Sequence, residues 1–195
     1  MTINWELILG VIGAVAGIAA SLRWLIKDIS GFKQRPKLEM SKSPDVKTWT
    51  FPNTRETRKF VTFEVRNKKN QTAQRCVAVA QIIKCPNKVS HLQKEYALHW
   101  ADVPYSTQST GAEPVDIGAE PRRLDVAFTL PSQNGASWIA MPLALSLPGK
   151  VSQATLPPGE YGLKVRVSCE NGRGDTKQLK LISPNKWQDL DAKEF

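Results

Sequence analysis

The side chains that carry most catalytic and metal chemistry are sparse in this sequence. Histidine occurs at His91 and His99, outside any H-x-x-x-H or H-E-x-x-H pattern, and no neighbouring carboxylate completes a metal set. A G-x-S-x-G nucleophile is absent, and the G-R-G at 172–174 has the features of a hairpin turn rather than a phosphate loop. We therefore expect no enzyme and no bound cofactor or metal ion, and interpret both histidines as surface or half-buried side chains.

The three cysteines are Cys76, Cys85 and Cys169, an odd number whose spacings fit no metal site. Cysteine catalysis needs a thiolate with a paired base, whereas Cys76 and Cys169 fall in strand patterns and resemble packing residues. Two interpretations stay open. The thiols are free and mostly buried in a reducing compartment, or an exported domain holds one disulfide and one leftover thiol.

Basic side chains outnumber acidic ones, 27 to 18, which gives the chain a formal net charge of +9. A candidate basic face is predicted at Lys164, Arg166, Arg173 and Lys180. Such a face can meet lipid headgroups, a nucleotide or an acidic protein, or it can serve solubility alone. Nucleic acid is disfavoured as a partner, because no aromatic side chains alternate with these basic residues for base stacking.

The first 27 residues predict a transmembrane helix. Leu7 to Leu22 is a run of 16 residues without a charge, and the apolar span reaches about 20 residues if Arg23 extends to the headgroups. Trp5 and Trp24 occupy the two ends, where interfacial aromatics belong. A cleaved signal peptide and a buried core helix are the alternatives.

The charges around this segment predict its orientation. No Lys or Arg precedes it, and five follow within about fifteen residues, so the positive-inside rule places the N-terminus outside and the following domain in the cytoplasm. The expected location is the cell membrane, crossed once, with the lipid bilayer as a partner.

Small residues on the predicted helix suggest a packing face for a second helix. Such residues, four positions apart, stack on one side and allow close contact between helices. We expect self-association through this face, or pairing with another membrane protein. The helix-packing residues are Gly10, Gly13, Ala14, Gly17 and Ser21.

Beyond residue 37 the hydrophobic period changes from helical to alternating. Segments 60–66, 124–130 and 163–169 place apolar and polar side chains on opposite faces, as half-buried strands do. About seven short strands separated by turn signals predict an antiparallel β-sandwich. A further alternating strand is predicted at 141–147. The residues expected to be buried are Phe63, Val65, Val126, Phe128, Leu163, Val165 and Val167.

The stretch L-P-P-G-E-Y-G-L-K-V-R-V, Leu156 to Val167, resembles the run into a late strand of immunoglobulin-like and fibronectin-type-III-like domains. In those domains a Pro-Gly turn precedes a tyrosine whose hydroxyl bonds back to the backbone. The resemblance gives that part to Tyr161. The stretch F-E-V-R-N-K-K-N-Q-T-A-Q-R-C-V-A-V-A is similar to an early hairpin of bacterial adhesion-type sandwiches. The resemblance implies a fold and no activity.

The predicted fold class is mainly β, an antiparallel immunoglobulin-like β-sandwich preceded by one transmembrane α-helix. Four regions follow: an anchor helix at 1–27, a basic juxtamembrane linker at 28–37, the sandwich at 38–184 and a C-terminal tail at 185–195. The polar segment 102–121 is a candidate recognition loop or a mobile connection.

We hypothesise a membrane-tethered, non-enzymatic interaction module that recognises a protein partner. The alternative is a ligand-responsive membrane sensor or effector whose transmembrane helix oligomerises, for example in bacterial defence.

Overall fold

The computed structural model describes residues 31, 34–51, 55–86, 95–102, 114–131, 137–139 and 155–195. One compact unit covers Pro36–Phe195 and holds two antiparallel β-sheets. The strands are, in chain order, β1 (Leu38–Met40), β2 (Asp45–Thr50), β3 (Thr57–Asn67), β4 (Ala73–Lys84), β5 (Glu95–Ala97), β6 (His99–Trp100), β7 (Val115–Ile117), β8 (Arg122–Thr129), β9 (Ser137–Ile139), β10 (Thr155–Leu156), β11 (Gly159–Ser168), β12 (Asp175–Ser183) and β13 (Asp191–Glu194).

The first sheet has the order β1-β3-β8-β9-β10, with β2 also paired to β3 and β6 also paired to β8. Strand β3 pairs with β8 along one edge. Along its other edge, β1 and β2 pair with successive parts of β3. In the same way β6 and β9 share the free edge of β8. Short strands placed end to end therefore complete this sheet.

The second sheet has the order β13-β12-β11-β4-β5, with β7 also paired to β4. Its centre is the β11–β12 hairpin, which the sequence predicts and which pairs continuously from Gly159 opposite Ser183 to Val167 opposite Asp175. The chain changes sheets at Leu98, between β5 and β6. The Leu98 N–H donates to the Ala78 carbonyl at 2.9 Å, which fixes this crossing against β4.

The hydrophobic core lies between the two sheets. All seven residues predicted to be buried are buried, each at 1% exposure or less. The hydroxyl of Tyr161 donates to the Pro157 carbonyl oxygen at 2.9 Å, as the resemblance implies. Two packed antiparallel sheets confirm the β-sandwich part of the predicted fold class.

Phe128 is buried on the other side of its sheet from the side that the alternation predicts. A β-bulge shifts the register, so that Val61 pairs with Ala127 whereas Thr62 pairs with Asp125. The extra residue, Val126, reverses the side of every residue that follows it. Phe128 therefore lies outside the inter-sheet cluster, with its ring centre 5.8 Å from that of Phe60.

Residues 185–195, which the sequence assigns to a C-terminal tail, add a strand to the second sheet. A short 3-10 turn, Trp187–Asp189, precedes β13, which pairs with β12 from Leu179 to Ile182. Leu190 between them is 1% exposed and belongs to the core. This segment is therefore held by backbone pairing and by one apolar anchor.

The N-terminal part of the predicted fold class has to be corrected. In the part of the chain that the structure describes, no helix is long and apolar enough to cross a membrane. A helix of the 16 uncharged residues from Leu7 to Leu22 would measure about 24 Å, which is shorter than the roughly 30 Å of a hydrocarbon core unless the span continues past Arg23. The predicted single-pass transmembrane helix is therefore not retained.

Several sequence predictions fall outside the described residues. They are the anchor at 1–27 with its orientation, the five helix-packing residues between Gly10 and Ser21, and the strand predicted at 141–147. The segment 102–121 is described in part, and there Val115–Ile117 forms β7 against β4.

Candidate interaction surface

Three of the four residues predicted as a basic face lie on the outer side of the second sheet. Lys164 and Arg166 alternate along β11 with buried Val165, and Lys180 on β12 is the register partner of Gly162. Since successive side chains of a strand point to opposite faces, all three point away from the core. The alternation of β11 is enough to place Lys164 and Arg166, whereas the pairing of β12 with β11 places Lys180.

Arg173 lies elsewhere, in the turn between β11 and β12. Its backbone N–H donates to the Pro36 carbonyl at 2.8 Å, and its own carbonyl accepts from the Leu38 N–H at 2.9 Å. A Cβ on Gly172 would come within 2.3 Å of the Pro36 oxygen, so this close approach requires glycine. The backbone of Arg173 therefore fixes the start of β1.

An exposed apolar patch lies among the basic side chains, formed by Ile83, Gly162 and Phe195. Ile83 and Phe195 leave 39% and 65% of their surface exposed. A Cβ on Gly162 would lie 3.4 Å from Ile83 Cγ1 and 3.3 Å from Phe195 Cε2. Ile83, Lys84 and Phe195 therefore pack closely over the backbone of Gly162, and the two apolar side chains form one exposed patch.

A β-bulge explains why Ile83 reaches this patch. Leu163 pairs with Ile82, whereas Gly162 pairs with Lys84, so Ile83 is the additional residue on β4. Both Ile83 and Lys84 consequently lie beside Gly162. The alternation of β4 by itself predicts only that this strand is apolar on both faces.

Charged side chains surround the apolar patch. The basic ones are Lys84, Lys164, Arg166, Lys180 and Lys193, and the acidic ones are Glu95, Glu160 and Asp191. Lys180 Nζ lies 2.8 Å from Glu160 Oε2, and Arg166 Nη2 lies 3.5 Å from Glu95 Oε1. The hydrogen bond from Lys180 holds the pKa of Glu160 below its ordinary value. Such exposed ion pairs are weak, so a partner's carboxylates can replace these acids.

The structure brings together two titratable residues that the sequence interpretation kept apart. His99 on β6 and Asp125 on β8 are register partners, their side chains are 3% exposed, and Nδ1 lies 3.9 Å from Oδ2. Arg123 Nε lies 3.3 Å from Asp125 Oδ1, and its guanidinium lies 5.4 Å from the ring centre of Trp49. The pairing of β6 with β8 creates this contact, and alternation within either strand does not reveal it.

The described residues contain no group of three or more His, Cys, Asp or Glu side chains that could hold a metal ion. Comparison of the chain with protein-family models, curated proteins and solved structures gives no match. The two antiparallel sheets are consistent with a β-sandwich, and the likeness to immunoglobulin-like and fibronectin-type-III-like domains is one of local sequence and of the Tyr161 hydrogen bond.

Proposed function

We propose that the Pro36–Phe195 domain is a non-enzymatic interaction module that binds an acidic segment of a partner protein. The binding surface is the outer face of the second sheet. The observation that carries the proposal is the apolar patch of Ile83, Gly162 and Phe195 within a charged rim, where the five basic side chains of the basic ring outnumber three acidic ones. Protein interfaces combine an apolar, desolvated centre with a polar rim in the same way.

The apolar patch and the basic ring would contribute differently to binding. Apolar surface removed from water contributes roughly 25 cal/mol per Å², so the half-exposed Phe195 and Ile83 are the natural anchors. Exposed charge pairs contribute only about 0.2–1 kcal/mol each. They do raise association rates and reject partners of like charge.

The charge balance of the surface favours an acidic protein segment as the occupant. Five basic side chains surround the patch against three carboxylates, and two of these carboxylates are held only by exposed ion pairs. A segment that carries one or two large apolar residues between acids would pack against Ile83 and Phe195 and pair with the lysines. A nucleic acid would need several stacking aromatics, whereas this patch offers the ring of Phe195.

Fluorescence anisotropy with short labelled peptides tests the proposal on the full-length chain. One peptide carries a Leu-Phe pair flanked by Asp and Glu, and a matched peptide carries Lys at the acidic positions. We expect the acidic peptide to bind and to weaken as salt rises, because exposed charges are screened. Equal binding of the two peptides would contradict the proposal.

Matched variants locate the surface. Phe195→Ala should raise the Kd of the acidic peptide at least about fivefold, equivalent to ~1 kcal/mol. The double variant Lys164→Glu with Lys180→Glu should raise the Kd at least about tenfold. The control, Lys47→Glu with Lys68→Glu, makes the same charge change at exposed lysines on and beside the first sheet. If the two double variants weaken binding equally, the effect is one of net charge and this surface is not the site.

A further inference from the structure

Cys76 and Cys169 lie opposite each other on the two central strands of the second sheet. β4 and β11 pair antiparallel as far as Val77 opposite Ser168. Cys76 is the next residue of β4, and Cys169 directly follows the last residue of β11. Cys76 belongs to the core and Cys169 packs against it. Opposed residues of antiparallel strands have Cα atoms about 4.5–5.5 Å apart, a separation that a disulfide can bridge.

Backbone contacts fix this end of the two strands. The Glu170 N–H donates to the Gln74 carbonyl at 3.1 Å. The side chain of Asn171 accepts from the Gln74 N–H at 2.8 Å and donates to the Thr72 carbonyl at 2.9 Å. The turn that follows Cys169 is therefore attached to the start of β4, which holds the two cysteines in register.

The two thiols differ in exposure and in electrostatic environment. Cys76 is fully buried, and burial together with the charge at Cys169 raises the pKa of Cys76 to about 12. Burial also raises the pKa of Cys169, but hydrogen bonds from the Gly172 backbone, the Cys76 thiol and the Asn171 backbone oppose this shift. Cys169 is only half-buried, whereas Cys76 is buried, so Cys169 is the thiol of the pair that an oxidant can reach.

We propose that Cys76 and Cys169 form a redox site at which a small-molecule disulfide, such as oxidised glutathione, installs a protein disulfide. The Cys169 thiolate attacks one sulfur of the oxidant, whose S–S bond breaks, and the leaving thiolate takes up a proton. Cys76 then loses its proton and its sulfur attacks the Cys169 sulfur, which expels the second small thiol. The two cysteine thiols are oxidised by two electrons and the oxidant is reduced to two thiols.

Cys85 provides an internal control for this pairing. It follows β4 at the opposite end from Cys76. The two cysteines are nine positions apart along an extended strand, a distance of about 30 Å. Since Cys169 is opposite Cys76, Cys85 is equally distant from both members of the pair. The disulfide would also lie at the far end of β4 and β11 from the apolar patch, so its formation is independent of peptide binding there.

Peptide mapping by mass spectrometry tests the proposal on the reduced, folded full-length chain. After treatment with oxidised glutathione and alkylation, we expect one cross-linked peptide that joins Cys76 to Cys169, with Cys85 alkylated. The cross-link should raise Tm by roughly 5–10 °C. A cross-link that includes Cys85 would overturn the proposal, and so would a folded chain that gains no cross-link while the urea-unfolded chain does.

Single variants separate the two chemical steps. Cys76→Ala removes the second thiol, so glutathione should remain attached to Cys169 as a mixed disulfide. Cys85→Ala should form the Cys76–Cys169 bond as the wild type does. If glutathione labels Cys76 in Cys169→Ala as rapidly as it labels Cys169 in Cys76→Ala, the assigned order of attack is wrong.

Discussion

Tyr161 connects a short sequence pattern to the stability of the domain. Its hydroxyl donates to Pro157, four residues earlier, while the whole residue is 1% exposed. Burial raises the pKa of this tyrosine to about 12, and the charge at Cys85 acts in the same direction. The folded state therefore keeps the phenol protonated at a pH where the unfolded chain has lost the proton.

The difference in the pKa of Tyr161 between the folded and unfolded states predicts how the free energy of unfolding changes at alkaline pH. The contribution of Tyr161 is fully present below about pH 10, where the phenol of the unfolded chain titrates. It is lost as the pH rises towards 12, by roughly 2–3 kcal/mol over two pH units. Tyr161→Phe should cost about 1 kcal/mol at neutral pH through the lost hydrogen bond, and its stability should fall less steeply above pH 10. Urea unfolding at several pH values measures both effects, and parallel curves for the two proteins would contradict the assignment.

At the scale of strands, the β-bulge in β8 shows which structural features hydrophobic alternation predicts and which depend on strand pairing. Alternation over 124–130 correctly predicts a buried strand, because it depends only on neighbouring residues. The side on which Phe128 is buried depends on Val126, which has no register partner on β3. Strand β3 is some sixty residues away in the sequence, so no local pattern contains this information.

The outer side of the first sheet has a small aromatic cluster of its own as a result. Phe128 packs between Phe60 and Trp138, with ring centres 5.8 and 5.7 Å away, and the guanidinium of Arg58 lies 5.6 Å from its ring centre. This cluster is separate from the core between the sheets. Burial on this side should therefore stabilise the fold as much as burial in the core does.

Phe128→Ala should consequently lower the free energy of unfolding by roughly 3–5 kcal/mol, as truncation of a buried aromatic does. Trp49→Ala is the matched control, because Trp49 lies on the same sheet but is 50% exposed. Trp49→Ala should lower the free energy of unfolding by less than about 1 kcal/mol. Denaturant unfolding of both variants gives the comparison, and equal losses would show that Phe128 is not buried in the folded protein.

At the scale of the whole molecule, the sequence indicates the sandwich and much of its core. It does not indicate which residues meet on the outer face of the second sheet. Lys164 and Arg166 follow from the alternation of a single strand. Ile83 and Phe195 reach the same face only through a bulge in β4 and the addition of β13 to the sheet. Contacts between distant segments depend on strand pairing, which a hydrophobic period does not encode.

The pairs His99–Asp125 and Cys76–Cys169 illustrate the same limit. Asp125, Cys76 and Cys169 lie in segments that the sequence interprets as strands, yet the contacts exist only because β6 meets β8 and β4 meets β11. The transmembrane prediction differs in kind, because it relied on the length of one uncharged run and on the tryptophans at its ends. Its extension past Arg23 needed a charged side chain to reach the headgroups.

The central claim, that the outer face of the second sheet receives an acidic protein segment, is tested most directly by NMR. Backbone amide shifts of the full-length chain are followed while the acidic Leu-Phe peptide is added. The account predicts that the largest changes centre on Lys84, Gly162, Lys180 and Phe195, and that they disappear with the lysine-substituted peptide. Changes centred on Trp49 and the first sheet, or identical changes with both peptides, would contradict it.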